Sequence, residues 1–197
     1  ENMGMFDEHG RALPGWDAIR DFDLKNPPIK ELDKYIESLY EYEETPEVED
    51  FMKLLMIHGN LISNPEFKDG FNNWQIETSL EERQYTLGKD GVFISSDANF
   101  DYSISQTVDI EYTGEYIAAV EYRGTNTTGV EVELFMDVED ESGVHTYTSD
   151  IFPADVRFVT HLLKPVRLQK NARVTVGLRM HTPPVFAKIK KISLVVI

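Results

Sequence analysis

The stretch Val130-Glu131-Val132-Glu133-Leu134-Phe135-Met136-Asp137-Val138 decides the fold. Five aliphatic residues alternate with Glu131, Glu133, Phe135 and Asp137. In an extended chain the aliphatic set lines one face and the mostly charged set the other. The period returns at 172–180, where Val174, Val176, Leu178 and Met180 point one way and Arg173, Thr175 and Arg179 the other. It is also present at 103–110 (Ile104, Val108, Ile110) and at 115–123 (Tyr116, Ala118, Val120, Tyr122). Turn-forming residues separate the runs at Tyr112-Thr113-Gly114, 124–129, Glu141-Ser142-Gly143 and Thr182-Pro183-Pro184. Short alternating strands divided in this way predict an all-β fold over 60–197, a jelly-roll β-sandwich of two sheets. Tyr116, Tyr122 and Tyr147 fall on the inward side of their runs and are expected in the core.

Upstream the period changes. Residues 26–59 read as a helical connector of two helices preceding the sandwich. Asn26 before Pro27-Pro28 suits a cap, and Ile29, Leu32, Ile36 and Leu39 form one apolar stripe. Thr45-Pro46 restarts the pattern, with Val48, Phe51, Met52, Leu55 and Met56 as a second stripe ending at Gly59. Nine acids and two lysines between Lys30 and Asp50 make a solvated outer face. Residues 1–25 carry Trp16, Ile19 and Phe22 at helical spacing behind Pro14, too little for a core of their own.

Composition narrows the function. The 197 residues are 41% hydrophobic and 27% charged, ample for a packed core and too apolar for wholesale disorder. The absence of cysteine excludes disulfides and thiolate metal sites but fixes no compartment. The longest apolar run, Ile192 to Ile197, is far short of the roughly 20 residues of a membrane span. The chain opens on Glu1 without a signal-peptide pattern, and the expectation is a mature product or an excised piece. Net charge is −16, unevenly spread: residues 156–197 hold nine of the 19 bases and no acid. Basic strands laid beside acidic ones in one sheet account for that asymmetry. The net charge repels phosphate, so no nucleic-acid partner is expected, and no membrane partner either.

Two stretches resemble known families. Asn60-Leu61-Ile62-Ser63-Asn64-Pro65-Glu66-Phe67, followed by Gly70 and Trp74, resembles the opening of jelly-roll carbohydrate-binding modules. Ser105-Gln106-Thr107-Val108, Gly114-Glu115-Tyr116 and the closing run from Ala187 match the family's later strands. The start, Asn2-Met3-Gly4-Met5-Phe6-Asp7-Glu8-His9-Gly10-Arg11-Ala12-Leu13-Pro14, is similar to the last barrel strand and turn of arabinogalactan endo-β-1,4-galactanases, glycoside hydrolase family 53. The resemblances imply three parts. These are a remnant of a (β/α)8 glycosidase barrel (1–25), a helical connector (26–59) and a module like carbohydrate-binding module family 61 (60–197). They imply an extracellular or cell-surface bacterial protein with an attached glycosidase and β-1,4-galactan as ligand. No cofactor is expected. Many such modules hold a structural Ca²⁺ through a Glu after the opening Phe and an Asp in the last strand. Lys68 and Lys190 stand at those places, cations where a hard metal needs carboxylates, so a structural Ca²⁺ is left only Asp69 and nearby carbonyls and is not expected.

The chemistry points to binding. No Gly-x-Ser-x-Gly, phosphate loop or histidine metal doublet is present. Glu133 and Asp137 are outward acids without a sign of the desolvation a paired-carboxylate hydrolase needs. Saccharide recognition asks for an aromatic ring against the pyranose C–H face and charged or amide groups for vicinal hydroxyls. If 103–110, 130–138 and 172–180 share a sheet, its outward surface carries Glu133, Phe135, Asp137, Arg173, Thr175 and Arg179, with His181 just beyond. The plain alternative is a salt-bridged sheet surface with one incidental Phe. A second candidate is a loop rim of Tyr85, Asn99, Phe100, Tyr102, Arg123 and Asn126. Trp74, the single tryptophan of 60–197, is either a platform or core. The competing functions are a structural sandwich that binds nothing and an adhesion module that recognises protein through a dry apolar patch.

Overall fold

The computed structural model describes residues 45–81, 84–96, 100–125, 131–151, 154–182 and 185–197. The 1–25 segment and the first helix expected within 26–59 lie outside them, as do Asn99, Asn126 and Val130.

Among the described residues one helix, α1 (Pro46–His58), precedes eleven strands. They are β1 (Gln75–Thr78), β2 (Tyr85–Gly88), β3 (Gly91–Ser96), β4 (Phe100–Asp109), β5 (Gly114–Thr125), β6 (Glu131–Asp140), β7 (Gly143–Asp150), β8 (Ala154–Leu162), β9 (Val166–Leu168), β10 (Arg173–Thr182) and β11 (Val185–Val196). All pairings are antiparallel. The first sheet runs β1-β4-β10-β6-β7 and the second β2-β3-β11-β5-β8, with β9 against the start of β5. This is the expected all-β sandwich, and the three alternating runs do share the first sheet, with β10 between β4 and β6.

Alternation builds the core directly. Ile104, Leu134, Met136, Val174, Val176, Leu178 and Met180 of the first sheet meet Val92, Ile94, Ala118, Val120, Tyr122, Ile189, Ile192 and Leu194 of the second, all fully enclosed. Tyr116 and Tyr122 are buried as expected. Tyr147 is not: it is 40% exposed, on β7, an edge strand almost all of whose residues are exposed.

The residues carrying the opening resemblance act as a staple. Asn60 Oδ1 accepts from the amides of Ile62 (3.1 Å) and Leu194 (3.0 Å), while Nδ2 donates to Ser193 Oγ (3.1 Å). Gln106, buried in β4, clasps Ser63 from both sides: Oε1 accepts from its amide (2.7 Å) and Nε2 donates to its carbonyl (2.9 Å). Asn64 bridges to Gly70 O and Asp69 N. Phe67, at φ 58°, and Gly70, at φ 70°, turn the chain so that Trp74 packs on the Phe67 ring at 4.8 Å. The segment before β1 is thereby tied to both sheets.

Helix α1 begins with Pro46 in the first turn, where no intrahelical N–H is needed, and ends at Gly59, φ 75° and ψ 177°, a conformation open to glycine. Phe51, with Met52, Leu54 and Leu55, packs on Ala119, Val195, Ile117 and Leu162. These are outward residues of β5, β8 and β11, so α1 covers the outer face of the second sheet. Met56, expected in that stripe, is 78% exposed, Leu54 on the other flank taking its place.

Candidate functional site

Among the described residues no helix lies on the outer face of the first sheet. Its register sets the outward side chains in rows across the strands. One row is Glu77, Ser103, Arg179, Glu133 and Asp150. The next is Gln75, Ser105, Gly177, Phe135 and Thr148, followed by Thr107, Thr175, Asp137 and Thr146. Arg173 stands between Asp109 and Glu139, and His181 between Asp101 and Glu131. Glu133, Phe135, Asp137, Arg173, Thr175, Arg179 and His181 are thus brought onto one surface.

The centre of this surface differs from expectation in one respect. Phe135 is only 2% exposed and is no open platform. Gly177, its neighbour in register, has no side chain, and the ring leans into the space; a Cβ there would come within 2.9 Å of Phe135 Cε1 and run into the Ile104 carbonyl. From above, the Arg179 guanidinium lies over the ring, its carbon 3.7 Å from the centroid. Arg179 Nη2 donates to Asp137 Oδ2 (2.5 Å), and Asp137 Oδ1 accepts from Thr146 Oγ1 (2.7 Å). The guanidinium is thus held between a ring below and a carboxylate beside it. Its side chain keeps 30% of its surface in solvent. Next to it the Thr107 and Thr175 hydroxyls are paired at 2.9 Å, and His181 Nδ1 lies 2.7 Å from Asp101 Oδ1.

The other predicted residues separate from this group. Trp74 is buried and donates its indole N–H to Asn64 O (3.0 Å), so it is core. Phe100 and Tyr102 belong to β4, not to a rim, and are buried because even-numbered β4 positions face inward. Burial also pushes the Tyr102 phenol well above its ordinary value. Tyr85 packs against that core. Arg123 lies on β5 in the second sheet, near the Phe186 ring at 5.7 Å. Asn99 and Asn126 lie outside the described residues, and the described remainder of the proposed rim does not converge.

The calcium-site positions hold a different chemistry. Lys68 Nζ sits 2.5 Å from Glu66 Oε2, and Lys191 Nζ approaches the same carboxylate at 3.9 Å. The hydrogen bond from Lys68, ahead of other effects, holds the Glu66 carboxyl below its usual range. Lys190 reaches instead to Glu121 (2.6 Å). A carboxylate already served by ammonium groups does not fit a hard divalent cation.

Sequence reading passed over Glu77, Ser103, Thr107 and Thr146, which complete the surface; only strand order places them there.

No family model matches the chain, and no curated protein matches it. Solved structures do. TmCBM61 in complex with β-1,4-galactotriose aligns with a TM-score of 0.54 at 16% identity, over 70% of this chain and 99% of that one. The fold is that of carbohydrate-binding modules. A Family 16 Carbohydrate Binding Module-2 aligns at TM-score 0.50 and 15% identity, over 69% of this chain and 99% of the module. The enzymatically active domain of bacteriophage CBA120 tailspike protein 4 aligns at 0.55 and 13%, over 70% of this chain but 21% of that one. At such identities the likeness is one of fold, and the module's chemistry rests on its own side chains.

Proposed function

We propose that the module is a non-catalytic carbohydrate-binding module that holds an attached glycoside hydrolase at a plant cell-wall polysaccharide, with β-1,4-galactan as ligand. The observation that carries this is the Arg179 fork, fixed by Phe135 and Asp137 on the one outer sheet face that α1 leaves uncovered. A guanidinium has five N–H donors in one plane. One is committed to Asp137, and those facing solvent suit a pair of vicinal hydroxyls. Glu133 and Ser103, beside it in register, supply acceptors, and Thr175 and Thr107 a hydroxylated floor. Such a surface is polar in both senses and already arranged, so binding orders little.

Galactan is favoured because the resemblance to family 61 and the fold shared with the galactotriose-bound TmCBM61 agree. The start of the chain, similar to family 53 galactanases, supports the attached barrel with 26–59 as connector and an extracellular or cell-surface bacterial setting. Tethering raises the enzyme's effective concentration at its polymer. No catalytic role is assigned to Glu133 or Asp137, since Asp137 is occupied by Arg179 and Thr146.

Affinity electrophoresis of the full chain tests this reading. Retardation in galactan gels, with little in xylan, mannan or hydroxyethylcellulose, is expected. Unaltered mobility in all four removes the binding reading, and retardation in another polymer alone removes galactan.

A further inference from the structure

At the end of the sandwich where β6 stops and β10 starts, three connections enclose a pocket of about 420 Å³. They are residues 110–113 between β4 and β5, the β6–β7 turn, and 169–172 between β9 and β10. The volume lies in the range of small-molecule clefts, about 300–1,000 Å³.

The walls are held by internal bonds. Thr113 Oγ1 accepts from the Lys170 amide (2.9 Å), the Asn171 amide donates to Ile110 O (2.7 Å), and the Ala172 amide to Gln169 O (3.1 Å). Across the pocket, Asp140 Oδ1 accepts from the Ser142 amide (2.8 Å) and hydroxyl (2.6 Å), fixing the turn. Ser142 Oγ also lies 2.7 Å from His145 Nε2. This is no hydrolytic triad, because the carboxylate meets the serine and not the far imidazole nitrogen.

The remaining side chains are unspent. Among the described residues Glu141, Lys170 and Asn171 have no side-chain hydrogen bond or ion pair, and all three line the pocket. They offer a carboxylate, an ammonium and an amide. Immediately before Thr113, Tyr112 is 71% exposed, and its carbonyl is pinned by the Tyr116 hydroxyl at 2.7 Å. Tyr112 itself is not in the lining, but it adjoins the lining residue Thr113 in sequence, and its largely exposed ring is available for a ligand.

Charge selects the ligand class. Asp140 and Glu141 oppose a phosphate or a uronate. A hard cation wants six or more oxygens, and no cluster of three acid or histidine ligands exists among the described residues. A neutral molecule with many hydroxyls uses donors and acceptors together and gives Tyr112 a C–H face to meet. We propose that this pocket is a second saccharide site, sized for one or two neutral sugar rings, with Glu141, Lys170 and Asn171 as hydroxyl partners and Tyr112 as platform. It takes its ligand class from the saccharide reading above but uses none of the same residues.

Amide-resolved NMR titration of the full chain with β-1,4-galactobiose and cellobiose, and galacturonic acid as anionic control, tests it. With at least one disaccharide, amides of 112–113, 141–143 and 169–172 should shift and saturate, and with galacturonic acid they should not. The double variant Glu141→Ala with Asn171→Gly should weaken this response about tenfold or more; glycine suits the φ of 67° at 171. Arg179→Ala should leave it unchanged. Pocket amides that stay still with both disaccharides, or that respond equally in the double variant, overturn the second site. Shifts around Arg179 alone overturn it while leaving the outer-face reading intact; shifts at the pocket alone do the reverse.

Discussion

Replacing Phe135 with alanine probes the arrangement at the centre of the first sheet. On sequence pattern alone the residue faces water, and truncation would cost almost nothing. In the structure the ring is 2% exposed, leaning into the gap over Gly177 and roofed by Arg179. Removing a ring buried to that degree costs about 3–5 kcal/mol. Loss of the cation–π contact, about 0.5–2 kcal/mol, overlaps with that figure and does not add to it. For a domain of this size each kcal/mol moves Tm by about 2–4 °C, so the midpoint should fall by about 6–20 °C. Thermal melts followed by circular dichroism read this directly. A midpoint within about 2 °C of the parent would refute the stacked arrangement, because a solvent-facing ring is the only state that leaves stability untouched.

Two further outcomes concern the scaffold. Asn60→Ala strands the amides of Ile62 and Leu194 and unties the staple, and should cost about 2–4 kcal/mol in urea titration; a loss under about 0.5 kcal/mol would show that the staple carries no stability. His161 has a buried Nε2 without a partner, and burial lowers the imidazolium pKa from its ordinary 6.5. The unfolded chain therefore takes up a proton near pH 6.5 that the folded chain withholds, so stability is full above that pH and falls as pH drops below it. His161→Leu should flatten the decline below pH 6.5, and an equal slope in both proteins would contradict the assignment.

Much of the fold was legible because β alternation is local: Val132, Leu134, Met136 and Val138 declare their face without knowledge of any partner strand. Surface detail was not local. Phe135 is buried because a glycine 42 positions downstream lies beside it, and that follows only from the β6–β10 register. Tyr147 alternates correctly but sits on an edge, and edge status depends on strand order. The motif residues Asn60, Asn64, Gln106 and Trp74 marked the family resemblance, yet they serve the scaffold, so they pointed to the architecture and not to the ligand face. The end pocket joins turns distant in sequence, and no single stretch announces it.

In the proposed reading the Arg179 guanidinium, fixed between Phe135 and Asp137, receives sugar hydroxyls on the outer face of the first sheet. Calorimetric titration of the full chain with β-1,4-galactotriose, beside Arg179→Ala and Arg179→Lys, examines that role alone. Both variants should bind about tenfold or more weakly, lysine included, because an ammonium cannot reproduce the planar fork. Equal Kd values in all three proteins would contradict the claim and move saccharide recognition off this face.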